Sequence, residues 1–475
     1  MPPNLGKISS RKYFAFPQVL PMLAVAVLAA GKGTRMKSTL PKVLQLLGGK
    51  PLVARVLDAT DCLSADRRLV IIGYGREQVR QALATYPHIE FVEQVEQLGT
   101  GHAIQQLLPP LEGFSGELVV LTGDSPLMRP ETLQQLVNVH RQRQAKATVM
   151  TALLDDPTGY GRVFCDANMG IESIVEHRDC TPAQRENNRI STGVYCFDWE
   201  ALATALPQLT CNNSQKEYYL TEVFDYMSDV VATDLADPEE SLGINDRIQL
   251  AHAYDVLQRR LRQKWMSLGV TMLLPETITI DDTVELAANV VLEPNTHLRG
   301  KTVIASGSVI GPSSMVNNSM IGADCQISFS VVEDSTIGDN CRVGPYAHIR
   351  GESLVGAGCR LGNFVELKKA VIGERTNAAH LSYLGDVTIG TKANIGAGTI
   401  IANYDGFKKH PTVLGDRVKT GSNSVIVAPS VIADNTVIGA GSVVKGDIPA
   451  NALVIVRPQQ VVKPDYYDET GKKKL

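Results

Sequence analysis

Aromatic side chains make up only 5% of this 475-residue chain. No stretch reaches the roughly 18 uninterrupted apolar residues that a membrane span needs, so no membrane insertion is expected. The eight cysteines include no C-x-x-C pair and no Cys/His ligand spacing. That removes the common zinc and redox frameworks and points to thiols kept reduced, as in a cytoplasmic protein. A basic face is missing too: the net charge is −4, and the only compact basic run is Lys472, Lys473 and Lys474 at the tail. No nucleic-acid partner is therefore expected. What is present is aliphatic and rich in small residues, with 44% apolar residues and 40 glycines. At the usual ~100–200 residues per domain, the length suits two or three domains.

Arg11 and Lys12 ahead of the apolar stretch from Val19 to Ala30 imitate a secretory signal. The apolar run leads straight into Gly31-Lys32-Gly33, however, and cleavage after it would remove a strand together with the loop it presents. Residues 1–21 are read as an N-terminal extension, and Met22 as the start of the first domain.

Two halves follow different periods. In residues 22–247, short aliphatic runs (Leu23 to Leu28, Leu69 to Ile72, Leu118 to Leu121, Ala147 to Leu153) alternate with amphipathic stretches. This predicts a Rossmann-like α/β domain with a mostly parallel sheet, whose ligands bind at the carboxyl ends of the strands. Residues 248–268 carry Leu250, Ala253, Tyr254, Leu257 and Leu261 at helical spacing and read as a helical linker. In residues 269–475 an aliphatic residue followed by a small one returns every six positions, as at Ile304, Ile310, Ile321, Ile327, Ile337, Val343, Ile349, Val355 and Leu361. The register breaks between 328 and 336 and around 403 to 413. Hexapeptide periodicity of this kind predicts a parallel β-helix of stacked coils. Cys325, Cys341 and Cys359 each fall four residues after an aliphatic position and read as small buried hydrophobes.

The segment Leu28-Ala29-Ala30-Gly31-Lys32-Gly33-Thr34-Arg35-Met36, followed by Pro41-Lys42, leaves the first strand and offers closely spaced backbone N–H groups to phosphate oxygens. Arg35 and Lys42 add charge-assisted bonds. It is neither a Walker A nor a G-x-G-x-x-G pattern. Further on come Glu96-Gln97-Leu98-Gly99-Thr100-Gly101, Thr122-Gly123-Asp124, Gly159-Tyr160-Gly161-Arg162 and Ile174-Val175-Glu176. Together these motifs resemble sugar-1-phosphate nucleotidyltransferases. With the hexapeptide half, residues 22 to 460 resemble the bacterial family of bifunctional N-acetylglucosamine-1-phosphate uridylyltransferase/glucosamine-1-phosphate acetyltransferases. The resemblance implies a left-handed β-helix, a homotrimer, and small-molecule partners: sugar phosphates, UTP and acetyl-CoA.

Carried over through these motifs, Leu28, Ala29, Ala30, Gly31, Arg35 and Lys42 would hold the nucleotide and its phosphates, with Thr122 and Gly123 beside them. Gln94, Gly99 and Thr100 would read uracil, whose imide edge an amide and backbone groups can match. The family implies Mg²⁺ at Asp124, shared with Asn245 in Gly243-Ile244-Asn245-Asp246-Arg247; few protein oxygens plus substrate phosphates is the usual arrangement for that ion. Gly161, Glu176 and Ser191 would line the sugar pocket. The family usually has Asn where this chain reads Ser191.

In the second half, polar residues interrupt repeats that need none: Arg350, Glu366, Lys368, His380, Tyr383, Asn394, Asn403, Tyr404 and Lys409. The runs Gly362 to Lys369, His380 to Asp386 and Asn403 to Gly406 are similar to the acetyltransferase half of the same family. His380 is the expected general base, a role suited to imidazole near neutral pH, with Glu366 orienting it. Arg350 and Lys368 would clamp the sugar phosphate, and Tyr383 and Asn394 would contact the sugar. Ala397, Asn403, Tyr404, Ser422, Ala440 and Arg457 would follow acetyl-CoA along the coils. The remaining histidines read as structural or solvated. A single-activity nucleotidyltransferase with a purely structural β-helix would need none of the His380 and Asn403-Tyr404 signals, and a non-catalytic sensor would not keep Lys42 and Asp124.

A chain beginning at Met22 is expected to fold and keep both activities. Loss of uridylyl transfer on that truncation, measured as pyrophosphate release, would show that residues 1–21 serve the nucleotide domain.

Overall fold

The computed structural model describes residues 21–467 and 469–473; the extension expected over residues 1–21 lies outside them except for Pro21. Contacts divide the chain into two compact units that meet in sequence at Tyr254 and Asp255.

In the first unit, β1 (Met22–Ala29) is followed by the two-residue strands β2 (Leu46–Leu47) and β3 (Lys50–Pro51) and by α1 (Leu52–Ala59). Then come β4 (Arg67–Ile72), α2 (Arg76–Ala82), β5 (Ile89–Glu93), α3 (Thr100–Gln105), β6 (Gly116–Thr122), α4 (Pro130–Arg143) and β7 (Ala147–Leu153). A two-stranded flap of β8 (Arg162–Cys165) and β9 (Ile171–Val175) leads through the single turn α5 (Pro182–Arg185) to β10 (Arg189–Asp198), α6 (Trp199–Ala205) and β11 (Val230–Asp234). The sheet order is β11-β7-β10-β6-β1-β4-β5, with β8 paired to β10 and β9. All neighbours along that path are parallel except β10, which runs antiparallel to β6 and β7.

Strand alternation divides the core. Leu23, Val25, Val27 and Ala29 of β1 pack with Val53 and Leu57 of α1 and Leu133 and Leu136 of α4. Ala24 and Ala26 face the other layer, with Ala103 and Ile104 of α3 and Leu202 of α6. Both faces of β1 are thus covered, and its carboxyl end is left to open into a loop.

The expected linker is α7 (Arg247–Ser267). Its second half belongs to the second unit: Trp265 joins the core there, and the buried Gln258 side chain mimics a strand. Its Nε2 donates to Ile280 O and its Oε1 accepts from Ile280 N, both at 2.8 Å. The helix thereby closes an end that a repeat array would otherwise leave open.

Beyond it stands the left-handed β-helix. Its strands are two to eight residues long and paired only in parallel. Successive coils repeat at 18, 17, 16 and 18 residues, read from the partners Val291, Val309, Gln326, Arg342 and Arg360. The sequence break at 328–336 is the 16-residue coil from Gln326 to Arg342. The second break is an insertion: Asn394 pairs with Lys419, 25 residues on, and the surplus forms a loop over 403–411. Ile304, Ile310, Ile321, Ile327, Ile349 and Leu361 fill one continuous core. Cys325, Cys341 and Cys359 are buried in it, each thiol donating to a glycine carbonyl of the next coil at 3.1–3.2 Å.

Ile310, fully buried in that core, gives a graded test. Ile310→Val should cost about 0.5–1.5 kcal/mol and Ile310→Ala about 2–5 kcal/mol in denaturant unfolding. Equal losses for the two would mean that this coil relaxes into the space left behind.

Candidate active sites

The first site forms where β1 and β6 end side by side. Leu28 pairs with Thr122, and Gly123 N donates to Leu28 O at 2.9 Å, so the glycine-rich loop and the Thr122-Gly123-Asp124 turn leave the sheet together. The loop turns back at Gly33, where φ is +61° and an added Cβ would stand 2.5 Å from the Lys42 Cβ. Only glycine lets the loop lie against the lysine. Asn245, far along the chain, is brought in by its neighbour: Ile244 N donates to Asp124 O at 2.9 Å.

Four side chains then meet. The Lys42 ammonium forms an ion pair with Asp124 and donates to Asn245 Oδ1 at 3.1 Å, the atom that also accepts from Arg35 Nη2 at 2.9 Å. Two hard oxygens, Asp124 Oδ2 and Asn245 Oδ1, therefore converge on one positive charge. Such a donor pair fits Mg²⁺, which takes one or two protein oxygens and completes its shell with phosphates and water.

A cavity of about 330 Å³ opens beside this cluster, lined by Leu28, Ala30, Gly31, Lys42, Gln94, Gly99, Thr100, Thr122 and Asp124 among others. Gln94 is buried and held by Gly99 O and His102 Nδ1, both at 3.1 Å; Thr100 Oγ1 accepts from Leu220 N at 3.0 Å. Gln97 and Glu217 also line it, and nothing in the sequence singled out Glu217. A second cavity of about 350 Å³ shares Leu28, Thr100, Thr122 and Asp124 and adds Arg35, Gly161, Glu176, Ser191 and Asn245. Burial raises the Glu176 carboxyl above the usual carboxylate range, against the Thr221 hydroxyl that donates to it at 2.9 Å. Ser191 is buried, its backbone N donates to Gly161 O at 2.9 Å, and its Oγ lies 3.0 Å from the Tyr195 hydroxyl. Ala29, within the strand, is buried and lines neither cavity.

The second site is arranged by coil register. Arg350 pairs with Lys368 and Lys368 with Gly385, and Glu366 with Tyr383, so these residues share one face on successive coils. Lys409 belongs to the inserted loop, whose base residue Asn403 lies against Gly385, the ladder partner of Lys368. The charge of Lys409 lowers the Lys368 pKa, with burial and Arg350 adding to the shift and Asp386 opposing it. Three cations on this side of the coils offer a seat for an anion. Next to them the Asn403 amide donates to Asp386 Oδ2 at 2.6 Å and to the Tyr383 hydroxyl at 3.4 Å. Asn403, expected from the sequence along the coenzyme path, thus stands at the base of the inserted loop beside Tyr383 and Asp386.

Both Nε and Nη2 of Arg350 donate to Glu366 Oε1, at 3.0 and 2.5 Å, so one oxygen of the carboxylate that was expected to orient His380 is held by Arg350. Asn394 lies on a different sheet from Arg350, Lys368 and Tyr383, between Asn377 and Lys419.

His380, exposed at the end of its strand, heads a column. Gly398 N bonds His380 O, Asn423 N bonds Ala397 O, Gly441 N bonds Ser422 O, and Arg457 Nε folds onto Ala440 O at 2.9 Å. His380, Ala397, Ser422 and Ala440 therefore occupy equivalent places on consecutive coils, with Arg457 at the far end. At ~4.8 Å per coil the column runs roughly 14 Å from His380 to Ala440. Tyr404 sits on the exposed inserted loop.

Residues 25–175 match the family described as the MobA-like NTP transferase domain, and residues 331–470 the GMPPB C-terminal domain. The chain is 58% identical over 451 residues to the bifunctional protein GlmU of Trichormus variabilis and equally so to that of a Nostoc species, covering 95% of this chain and 100% of each relative. It is 56% identical to the GlmU of Acaryochloris marina, covering 95% of this chain and 99% of that one.

An added Cβ at Gly385 would lie 2.5 Å from the Tyr383 hydroxyl and 2.7 Å from Asn403 Nδ2. Gly385→Ala should displace both and lower acetyl transfer by roughly tenfold or more, with uridylyl transfer unchanged. CoA release at the parent rate would mean that the Tyr383–Asn403 contact plays no part in that half.

Proposed function

The chain belongs to the bifunctional GlmU family, and from that premise we propose how its residues divide two reactions. It is an enzyme that acetylates glucosamine-1-phosphate and transfers a uridylyl group to N-acetylglucosamine-1-phosphate, the two steps that make UDP-N-acetylglucosamine for peptidoglycan.

Uridylyl transfer is assigned to the first unit. Gln94, Gly99 and Thr100 bind the base, and Leu28, Ala30 and Gly31 line the path of the triphosphate. Glu176, Gly161 and Ser191 face the sugar, which Ser191 reaches less directly than an Asn would. A phosphate oxygen of the sugar phosphate attacks the α-phosphorus of UTP, and pyrophosphate leaves. Asp124 and Asn245 would hold Mg²⁺, which when bound offsets charge on the triphosphate. Lys42 and Arg35, already clustered at those oxygens, turn their charge to the phosphates and hold the reacting groups in line. Positioning and charge neutralisation suffice, and no protein nucleophile is required.

Acetyl transfer is assigned to the β-helix. Arg350, Lys368 and Lys409 seat the phosphate of glucosamine-1-phosphate, with Tyr383 beside the sugar and Asn403 and Tyr404 toward acetyl-CoA. His380 takes a proton from the amine as its nitrogen attacks the thioester carbonyl of acetyl-CoA, and the CoA thiol leaves. The column from His380 to Arg457 is the observation that carries this reading. It offers small side chains for an elongated coenzyme to lie on, a base at one end and a guanidinium for a coenzyme phosphate at the other. Asn394 stands on another face from the phosphate seat, which supports a homotrimer in which a neighbouring copy completes the sugar site. Micromolar sedimentation as a monomer would refute that assembly. Reduced thiols support a cytoplasmic location, and no described helix is long and apolar enough to cross a membrane.

His380→Ala should cut CoA release by roughly 10²–10⁴ and leave pyrophosphate release from UTP and N-acetylglucosamine-1-phosphate intact. Asp124→Ala should do the reverse. Unchanged CoA release in His380→Ala would remove the base from this site.

A further inference from the structure

The inserted loop presents a physical problem. Lys409 extends from a loop whose base residue Asn403 bonds Tyr383 and Asp386, next to the ladder pair of Lys368 and Gly385, so its charge bears on Lys368, while the tip residue Phe407 is 95% exposed. Like charges on a free loop would swing apart into water, so some constraint must hold Lys409 in place.

The constraint is visible within residues 403–410. At the base, His410 N donates to Asn403 O at 2.8 Å, and Tyr404 bridges Lys409 in antiparallel fashion. Inside, one Asp405 oxygen accepts from Phe407 N and Lys408 N, both at 2.8 Å, while the other lies 2.6 Å from His410 Nε2. These bonds, led by those from the loop backbone, bring the Asp405 pKa to about 2. Asp405 therefore stays a carboxylate, and the imidazole of His410 closes the turn on it. His410 directly follows Lys409, so the same closure aims the lysine.

We infer that His410 is a positioning residue for acetyl transfer: its bond to Asp405 staples the 403–410 loop and sets Lys409 beside Lys368 to receive the sugar phosphate. The sequence reads His410 as structural or solvated, since no motif surrounds it. The inference rests on the phosphate seat proposed above.

The test uses the full-length enzyme, with CoA release measured against glucosamine-1-phosphate at saturating acetyl-CoA. Uridylyl transfer and trimer formation in the same preparations report folding. His410→Ala should raise KM for glucosamine-1-phosphate roughly tenfold, as for one weakened charge-assisted contact, with a much smaller change in kcat. His410→Gln, whose amide can still donate to Asp405, should restore most of the KM. Adding His410→Ala to Lys409→Ala should raise KM no further, because the residue acts through that lysine. An unchanged KM in His410→Ala, equal damage in the Ala and Gln variants, or full additivity with Lys409→Ala would each overturn the staple while leaving the phosphate seat standing. A Lys409→Ala variant with the parent KM would instead remove the seat itself, and the inference with it.

Discussion

A parallel backbone ladder sets each residue of a coil over its counterpart in the next, and the second site depends on that constraint throughout. Because the coils repeat at 16 to 18 residues, or 25 where the insertion falls, residues distant in sequence become neighbours in a column. Arg350, Lys368 and Gly385 form one such column, and His380, Ala397, Ser422 and Ala440 another. The buried aliphatic side chains keep the register, since a slip of one residue would turn the whole inward set outward. Packing inside the prism thus fixes the chemistry on its surface.

The first site obeys a different constraint, charge balance at the end of a hydrophobic strand. Asp124 emerges beside β1 with its carboxylate largely shielded, and such a group needs a cation. The chain provides Lys42 and brings Asn245 to the same point through the Ile244 to Asp124 backbone bond. One oxygen of Asn245 then serves both Lys42 and Arg35. Every member of this group depends on another for its placement.

Local pattern made the architecture readable: alternating aliphatic runs for the sheet, six-residue spacing for the coils, and the glycine-rich loop for the first site. Side-chain pairing across coils was much less so. Glu366 bonds Arg350 because both lie on one face one coil apart, a partner that a linear reading does not supply. Asn403 carried a recognisable motif, but the bond of its amide to Asp386 depends on how the insertion folds and has no linear signal. The antiparallel β10 was hidden too, because a buried strand has the same composition in either direction. Lys409 stood out only as a polar residue in a gap of the repeat, and its nearness to Lys368 required the folded loop.

The 25-residue coil also bears on how such a protein can change over generations. Its surplus residues leave at a corner and return at Asn403 and His410, which touch one another, so the ladders above and below continue undisturbed. Lengthening, shortening or exchanging this segment therefore need not disturb the stacked scaffold. Acceptor preference could drift in the loop while the coils stay under strict selection for packing, and a scaffold of this kind can serve new acyl acceptors by grafting at a single corner.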